Sequence, residues 1–263
     1  MPRFDPHPAR RPTLIAGASS GMGSATAEML AEQGYPVALG ARRVEECRRL
    51  ADKIRGAGGE AFAHYLDVTD DASVDEFVTA AERELGAFEV VVYGAGDVEF
   101  GPVHEMPSER FAKQVDVHLI GPQRIARRVV PGMIERGRGD VVFITSDCAD
   151  RPRPHAGAYS SAKTGLEAMA GQMRMELEGT GVRISVARPG PTNTGFGWTA
   201  PAEVLEPLLE SWATWGLARH LHMLRPADMA AAITTVVTTP PGSHLVLIEA
   251  QPGVPKQRTE TPN

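Results

Sequence analysis

Short apolar runs alternate with helical patterns along the whole chain. Thr13–Ala16, Pro36–Gly40, Ala61–Leu66, Val90–Tyr93, Val141–Thr145, Ile184–Ala187 and Leu245–Glu249 read as strands. Several are apolar throughout, which is the signature of parallel strands covered on both faces. Between them, residues near 22–33, 44–57, 71–85, 108–135, 156–179 and 227–238 carry helical periodicity. Ser108 and Pro226 are suitable helix starts. The alternation predicts one α/β domain over 12–250, a doubly wound, seven-stranded parallel sheet with helices on both faces and right-handed crossovers. Residues 190–225 break the rhythm. They are rich in Pro, Gly and Trp and predict a long excursion beyond the sixth strand, a candidate substrate flap hinged at Pro189-Gly190 and Arg225-Pro226.

Composition narrows the setting. A chain of 263 residues is ample for one sizeable core, and a net charge of −6 gives no reason to expect nucleic acid. Two cysteines, Cys47 and Cys148, make no disulfide framework and suit a reducing cytoplasm. No apolar run is long enough to span a membrane. Residues 1–11 hold basic side chains with no apolar segment behind them, so a disordered lead-in is expected rather than a secretory signal. Residues 252–263 are expected to fray.

Candidate chemistry gathers at the strand ends. Gly17-Ala-Ser19-Ser20-Gly21-Met22-Gly23 follows the first strand and opens a helix. Glycines allow close backbone approach to a pyrophosphate, and a helix N-terminus offers free N–H groups to it. At the end of the second strand Ala41 stands where an NAD-binding protein carries an acid, and Arg42 and Arg43 follow. Guanidinium suits the 2′-phosphate of NADP(H). Tyr159 and Lys163 lie four residues apart on one helical face, and Ser146 ends the fifth strand thirteen residues before the tyrosine. A phenol beside an ammonium is easier to ionise, so the three suggest proton transfer to or from an oxygen.

These segments, in this order, resemble the short-chain dehydrogenase/reductase family from about residue 12 to about residue 250. The resemblance implies a single Rossmann-type domain and assigns Ser146, Tyr159 and Lys163 as catalytic. It assigns Gly17–Gly23, the pair Asp67-Val68, Gly94-Ala95-Gly96, and Pro189-Gly190 with Thr192 and Thr194 to the cofactor, which Tyr159 and Lys163 also contact. Tyr159 would exchange the proton, Lys163 would lower its pKa and hold the ribose, and Ser146 would bond the substrate oxygen. Two departures stand out. The family's Asn-Asn-Ala-Gly appears as Tyr93-Gly94-Ala95-Gly96, and its fourth catalytic residue, an Asn that helps hold a lysine-side water, is His118. That histidine is either a space-filler or a titrating relay, and impaired catalysis is a third outcome.

The reading is an NADP(H)-dependent oxidoreductase acting on a carbonyl/secondary alcohol pair. The alternatives are an NAD-linked dehydrogenase and a non-catalytic nucleotide-binding regulator on the same fold. Phe196, Trp198, Leu205, Leu208, Leu209, Trp212, Trp215 and Leu217 make the excursion apolar and suggest a hydrophobic small-molecule substrate. Specificity is expected from Asp97–Phe100, Asp147–His155 and the excursion, with Asp97, Asp147 and His155 as candidate polar anchors. His220 and His222 lack further ligands nearby, so no metal is expected. By resemblance the long helices pair subunits, which implies a homodimer or homotetramer.

Overall fold

A computed structural model of the protein describes residues 4–195, 202–217, 220 and 222–254. Seven strands form one parallel sheet: β1 (Thr13–Ala16), β2 (Val37–Ala41), β3 (Ala61–Tyr65), β4 (Val90–Tyr93), β5 (Gly139–Ile144), β6 (Val182–Pro189) and β7 (Leu247–Ala250), in the order β3-β2-β1-β4-β5-β6-β7. The helices are α1 (Gly21–Glu32), α2 (Val44–Gly56), α3 (Asp71–Leu85), α4 (Ser108–Val115), α5 (Gly121–Glu135), α6 (Gly157–Glu176), α7 (Ala202–Thr214) and α8 (Pro226–Thr238). The doubly wound sheet expected from the apolar runs is therefore present.

Strand side chains alternate between the two faces. Leu14, Val91, Val141 and Phe143 pack on one face with Val74 and Phe77 of α3, Ile125 of α5 and Leu166 of α6. Ile15, Val90, Val92, Val142 and Ile144 pack on the other with Leu30 of α1, Leu50 of α2 and Ile233 of α8. Burying one such side chain stabilises the fold by roughly 1.5–3 kcal/mol, so both layers are held by the same strands. Helix starts carry local signals. Asp70 caps α3 by accepting from Ala72 N at 3.0 Å, and the Asp228 carboxylate of α8 takes the Arg225 N–H at 2.7 Å.

One expectation is corrected. The helix expected across 108–135 is interrupted by a π-helical turn at Asp116–Ile120, where the Gly121 N–H reaches back to the Asp116 carbonyl. Pro122 accounts for it: proline has no N–H, and its ring collides with the carbonyl four residues earlier, that of His118, in regular α geometry. The excursion contains α7, and its base is zipped by Asn193 N to Leu224 O at 2.9 Å and Leu224 N to Pro191 O at 2.8 Å. Phe196 and Trp198 lie outside the described residues. Among residues 4–11, side chains bond to segments far along the chain. His7 bonds the Thr239 carbonyl at 2.9 Å, and Arg11 pairs with Asp140 of β5 and donates to the Val237 carbonyl at 2.8 Å.

Asp140 is 3 % exposed and also takes Arg183 at 2.6 Å. Replacing it with Ala leaves the buried Arg11 without its carboxylate. Asp140→Ala should lower the unfolding free energy by about 3–5 kcal/mol, measured by urea titration. A loss below ~1 kcal/mol, the range of an exposed pair, would show that the cluster stabilises nothing.

Candidate active site

A parallel sheet puts all its strand carboxyl ends on one edge, and a cleft of about 1020 Å³ opens there. Every cofactor and catalytic residue named from the sequence lines it: Gly17, Ser19, Ser20, Gly21, Met22, Gly23, Arg42, Arg43, Asp67, Val68, Gly94, Ala95, Gly96, His118, Ser146, Tyr159, Lys163, Pro189, Gly190, Thr192 and Thr194. Asp97 and Asp147 also line it, whereas His155 is not part of the lining.

The glycine loop is tight for a steric reason. Gly17 sits at φ 89°, and a Cβ there would stand 2.6 Å from Ala95 N. A Cβ on Gly23 would stand 2.3 Å from the Gly17 carbonyl oxygen. Arg43 reaches across from β2 and donates to Ser20 Oγ at 2.6 Å and Ser19 Oγ at 3.1 Å. No carboxylate competes at Ala41. The Asp67 carboxylate accepts from Thr69 N at 3.0 Å and Thr69 Oγ1 at 2.7 Å. Burial pushes its pKa up, and the bonds from Thr69 outweigh that and hold it below the ordinary value. Glycine backbone for phosphates, guanidinium beyond the adenosine end and no acid at Ala41 are a donor set that fits NADP(H).

The reacting groups are buried. Lys163 is 4 % exposed and donates to the Ile144 carbonyl at 2.8 Å, at the end of β5. Burial pulls its pKa down to about 7, against a smaller upward pull from Glu167. Ser146 Oγ accepts from Cys148 N at 3.1 Å and faces Asp147 Oδ1 at 3.4 Å. The lowering of the Tyr159 phenol expected from Lys163 does not dominate. Burial raises the phenol above its ordinary value, the charge of Asp147 adds to that, and Ser146 and Arg153 oppose it. Lys163 Nζ stands 5.7 Å from the ring centroid.

The two motif departures are joined in space. Tyr93 is fully buried and its hydroxyl donates to the Val117 carbonyl at 2.6 Å, inside the π turn. A Cβ on Gly121 would stand 2.5 Å from that hydroxyl. Next along the turn, His118 is 1 % exposed, meets the Tyr159 ring edge-on at 4.9 Å and bonds the Asp97 carbonyl through Nε2 at 2.5 Å. Gly96 makes room for it, since a Cβ there would stand 2.1 Å from His118 Cε1. The carbonyl accepts, so Nε2 carries the proton and Nδ1 is a bare acceptor, buried without a hydrogen-bond partner. Burial, with Lys163 nearby, holds the imidazole pKa well below its ordinary value. A neutral ring whose proton is committed to a backbone carbonyl cannot pass a proton through.

Residues 11–204 match the short chain dehydrogenase family. The chain belongs to that family. It is 34% identical over 237 residues to glycine betaine reductase ATRR of Emericella nidulans, covering 90% of this chain and 18% of that protein, so it spans under a fifth of that relative's length. It is 29% identical to 2,3-dihydro-2,3-dihydroxybenzoate dehydrogenase of Bacillus subtilis, over 89% of this chain and 91% of that one. Among solved structures, an alcohol dehydrogenase from the archaeon Thermococcus sibiricus complexed with 5-hydroxy-NADP superposes with a TM-score of 0.80 at 29% identity, covering 94% and 99% of the two chains.

Arg153, within the candidate stretch Asp147–His155, also lines the cleft, whereas Gln251 lies outside the lining. Arg153 pairs with Asp147 at 2.6 Å, and Gln251 reaches Asp147 at 3.3 Å from the end of β7. A charge spacing of six residues, or of more than a hundred, carries no sequence signal. Among the described residues no helix is long and apolar enough to cross a membrane, and no group of three or more His, Cys, Asp or Glu could hold a metal ion.

With Nε2 committed to the Asp97 carbonyl, His118 is expected to fill space rather than relay a proton. With cofactor saturating, the pH profiles of the wild type and His118→Asn should have the same shape across pH 6.5, the ordinary imidazole value. A transition present in the wild type alone would show that the ring titrates during turnover.

Proposed function

We propose that the protein is an NADP(H)-dependent oxidoreductase interconverting a carbonyl and a secondary alcohol on a small, largely apolar molecule. The convergence of Ser146, Tyr159 and Lys163 on the glycine-lined cleft carries this reading. When bound, the cofactor supplies or accepts the hydride. Gly17–Gly23 and the start of α1 hold its phosphates, and Arg42 and Arg43 take the 2′-phosphate. Tyr159 gives its phenolic proton to the carbonyl oxygen, or takes one from the alcohol. Ser146 bonds that oxygen as charge develops on it. Lys163 binds the ribose and, as an ammonium, favours the ionised phenol.

Phe100, Leu205, Leu208, Leu209 and Trp212 wall the substrate end. That wall suits a ring or branched body, in keeping with the cyclic diol acid named in the Bacillus subtilis relative. A cytoplasmic homodimer or homotetramer completes the proposal. Supporting it are the buried free thiols Cys47 and Cys148, Ile120 and Ile134 exposed on the π turn and α5, Met175 exposed on α6, and Leu247 exposed on β7.

Charge-assisted bonds to a phosphate contribute about 1.5–3 kcal/mol each, so NADPH should bind at least about tenfold more tightly than NADH. Arg42→Ala should shrink that gap. Equal affinities in the wild type, measured by fluorescence titration, would overturn the cofactor assignment.

Tyr159→Phe keeps the ring and its packing while removing the proton donor. It should abolish turnover on a panel of cyclic alcohols and ketones and leave NADPH affinity nearly unchanged. Substantial activity in this variant would place the proton source elsewhere.

A further inference from the structure

Arg153 lines the cleft between Ser146 and Tyr159 in sequence, and the oxidoreductase reading gives it no task. Its side chain is 11 % exposed. One nitrogen, Nη2, donates to Asp147 Oδ2 at 2.6 Å. Nη1 meets a thiol, Cys148 Sγ, at 3.2 Å, and Nε is buried without a hydrogen-bond partner. The guanidinium carbon lies 5.2 Å from the centroid of the Trp212 ring. That indole is itself pinned: Nε1 donates to the Pro154 carbonyl at 2.9 Å, and Phe100 meets the ring edge-on at 6.1 Å.

A guanidinium carries five N–H donors, and a thiol is a weak acceptor. Here one carboxylate oxygen is the strong partner, held through one nitrogen. A pair that served only to hold the loop would gain most from the two-pronged arrangement that arginine and carboxylate adopt. The contact seen fixes the guanidinium in position and leaves donor capacity beside the reacting groups. Asp147 is also committed elsewhere, to Gln251 Nε2 at 3.3 Å and Ser146 Oγ at 3.4 Å, so its charge is shared among three donors. Arg153, Ser146 and Tyr159 line the same cleft. A group held by Arg153 therefore lies within one small molecule's reach of the reacting oxygen.

We propose that Arg153 anchors a carboxylate of the substrate, so that the compound turned over is a hydroxy acid or the matching oxo acid. This deepens the proposed function and rests on Tyr159 being its proton-transfer centre. The apolar body lies against Trp212 and Phe100, the acid group sits on Arg153, and the carbinol or carbonyl carbon is presented to Ser146 and Tyr159. The acid group is held unchanged. In oxidation the carbinol carbon loses a hydride to the oxidised cofactor and its hydroxyl loses a proton to the Tyr159 phenolate, leaving the carbonyl, the reduced cofactor and the phenol.

The test reads binding rather than turnover. Benzoate and its neutral counterpart benzamide are titrated calorimetrically into protein saturated with NADP+. Benzoate should bind the wild type more tightly by roughly tenfold or more, and Arg153→Gln should erase the difference. Asp147→Asn breaks the ion pair but keeps the guanidinium, so it should retain the preference for benzoate. Equal affinities in the wild type, a preference that survives Arg153→Gln, or its loss in both variants alike would overturn the anchor. Loss of turnover on every alcohol and ketone tried would remove the oxidoreductase reading, while the benzoate titration would still decide the anion site.

Discussion

The parallel pairing of β1, β4 and β5 is the constraint on which the site depends. Ala16 is in register with Tyr93, and Tyr93 with Phe143. Three chain segments therefore leave the sheet at one level and on one edge. The phosphate loop follows β1, the Gly94–Asp97 loop follows β4, and Ser146 follows β5. Because β1, β4 and β5 are buried along their whole length, slipping one by a residue would send its side chains to the wrong layer. The hydrophobic effect thus sets the distances on which the chemistry relies.

The loop after β4 shows how such a frame absorbs change. Tyr93, Gly94 and His118 depart from the family pattern in separate stretches of sequence, yet the first and last meet at one π turn. Pro122 opens the turn, the Tyr93 hydroxyl occupies the Val117 carbonyl, and His118 ties the turn to the Asp97 carbonyl. Gly121 and Gly96 vacate the space that the two rings fill. The departing residues fit together sterically and in hydrogen bonding beside the Tyr159 ring.

Burial sets the electrostatics of the cleft. Lys163 is brought near 7 and the Tyr159 phenol is raised, both chiefly by desolvation. At neutral pH the two forms of Lys163 are therefore close in energy, while Tyr159 is held as the protonated phenol. Arg153 keeps its charge in the same surroundings because Asp147 stands against it. A centre prepared for proton movement and a fixed cation beside it have different causes, although both side chains sit in one pocket.

The sequence by itself determined the layers and the sheet. Fully apolar runs and 3.6-residue periodicity are local properties, and they mark which segments are strands or helices and which faces are buried. It also determined the loop glycines and the Tyr159/Lys163 spacing, because one helical turn is a fixed geometry. Only the tertiary structure decided the rest. The tautomer of His118 needs the Asp97 carbonyl beside it, and the Tyr93 hydroxyl reaches the π turn from β4. The buried place of Arg11 depends on Asp140, 129 residues away. Asp147 gathers Arg153 and Gln251 for the same reason: each contact joins residues unrelated in sequence, and no periodicity records a contact that only packing creates.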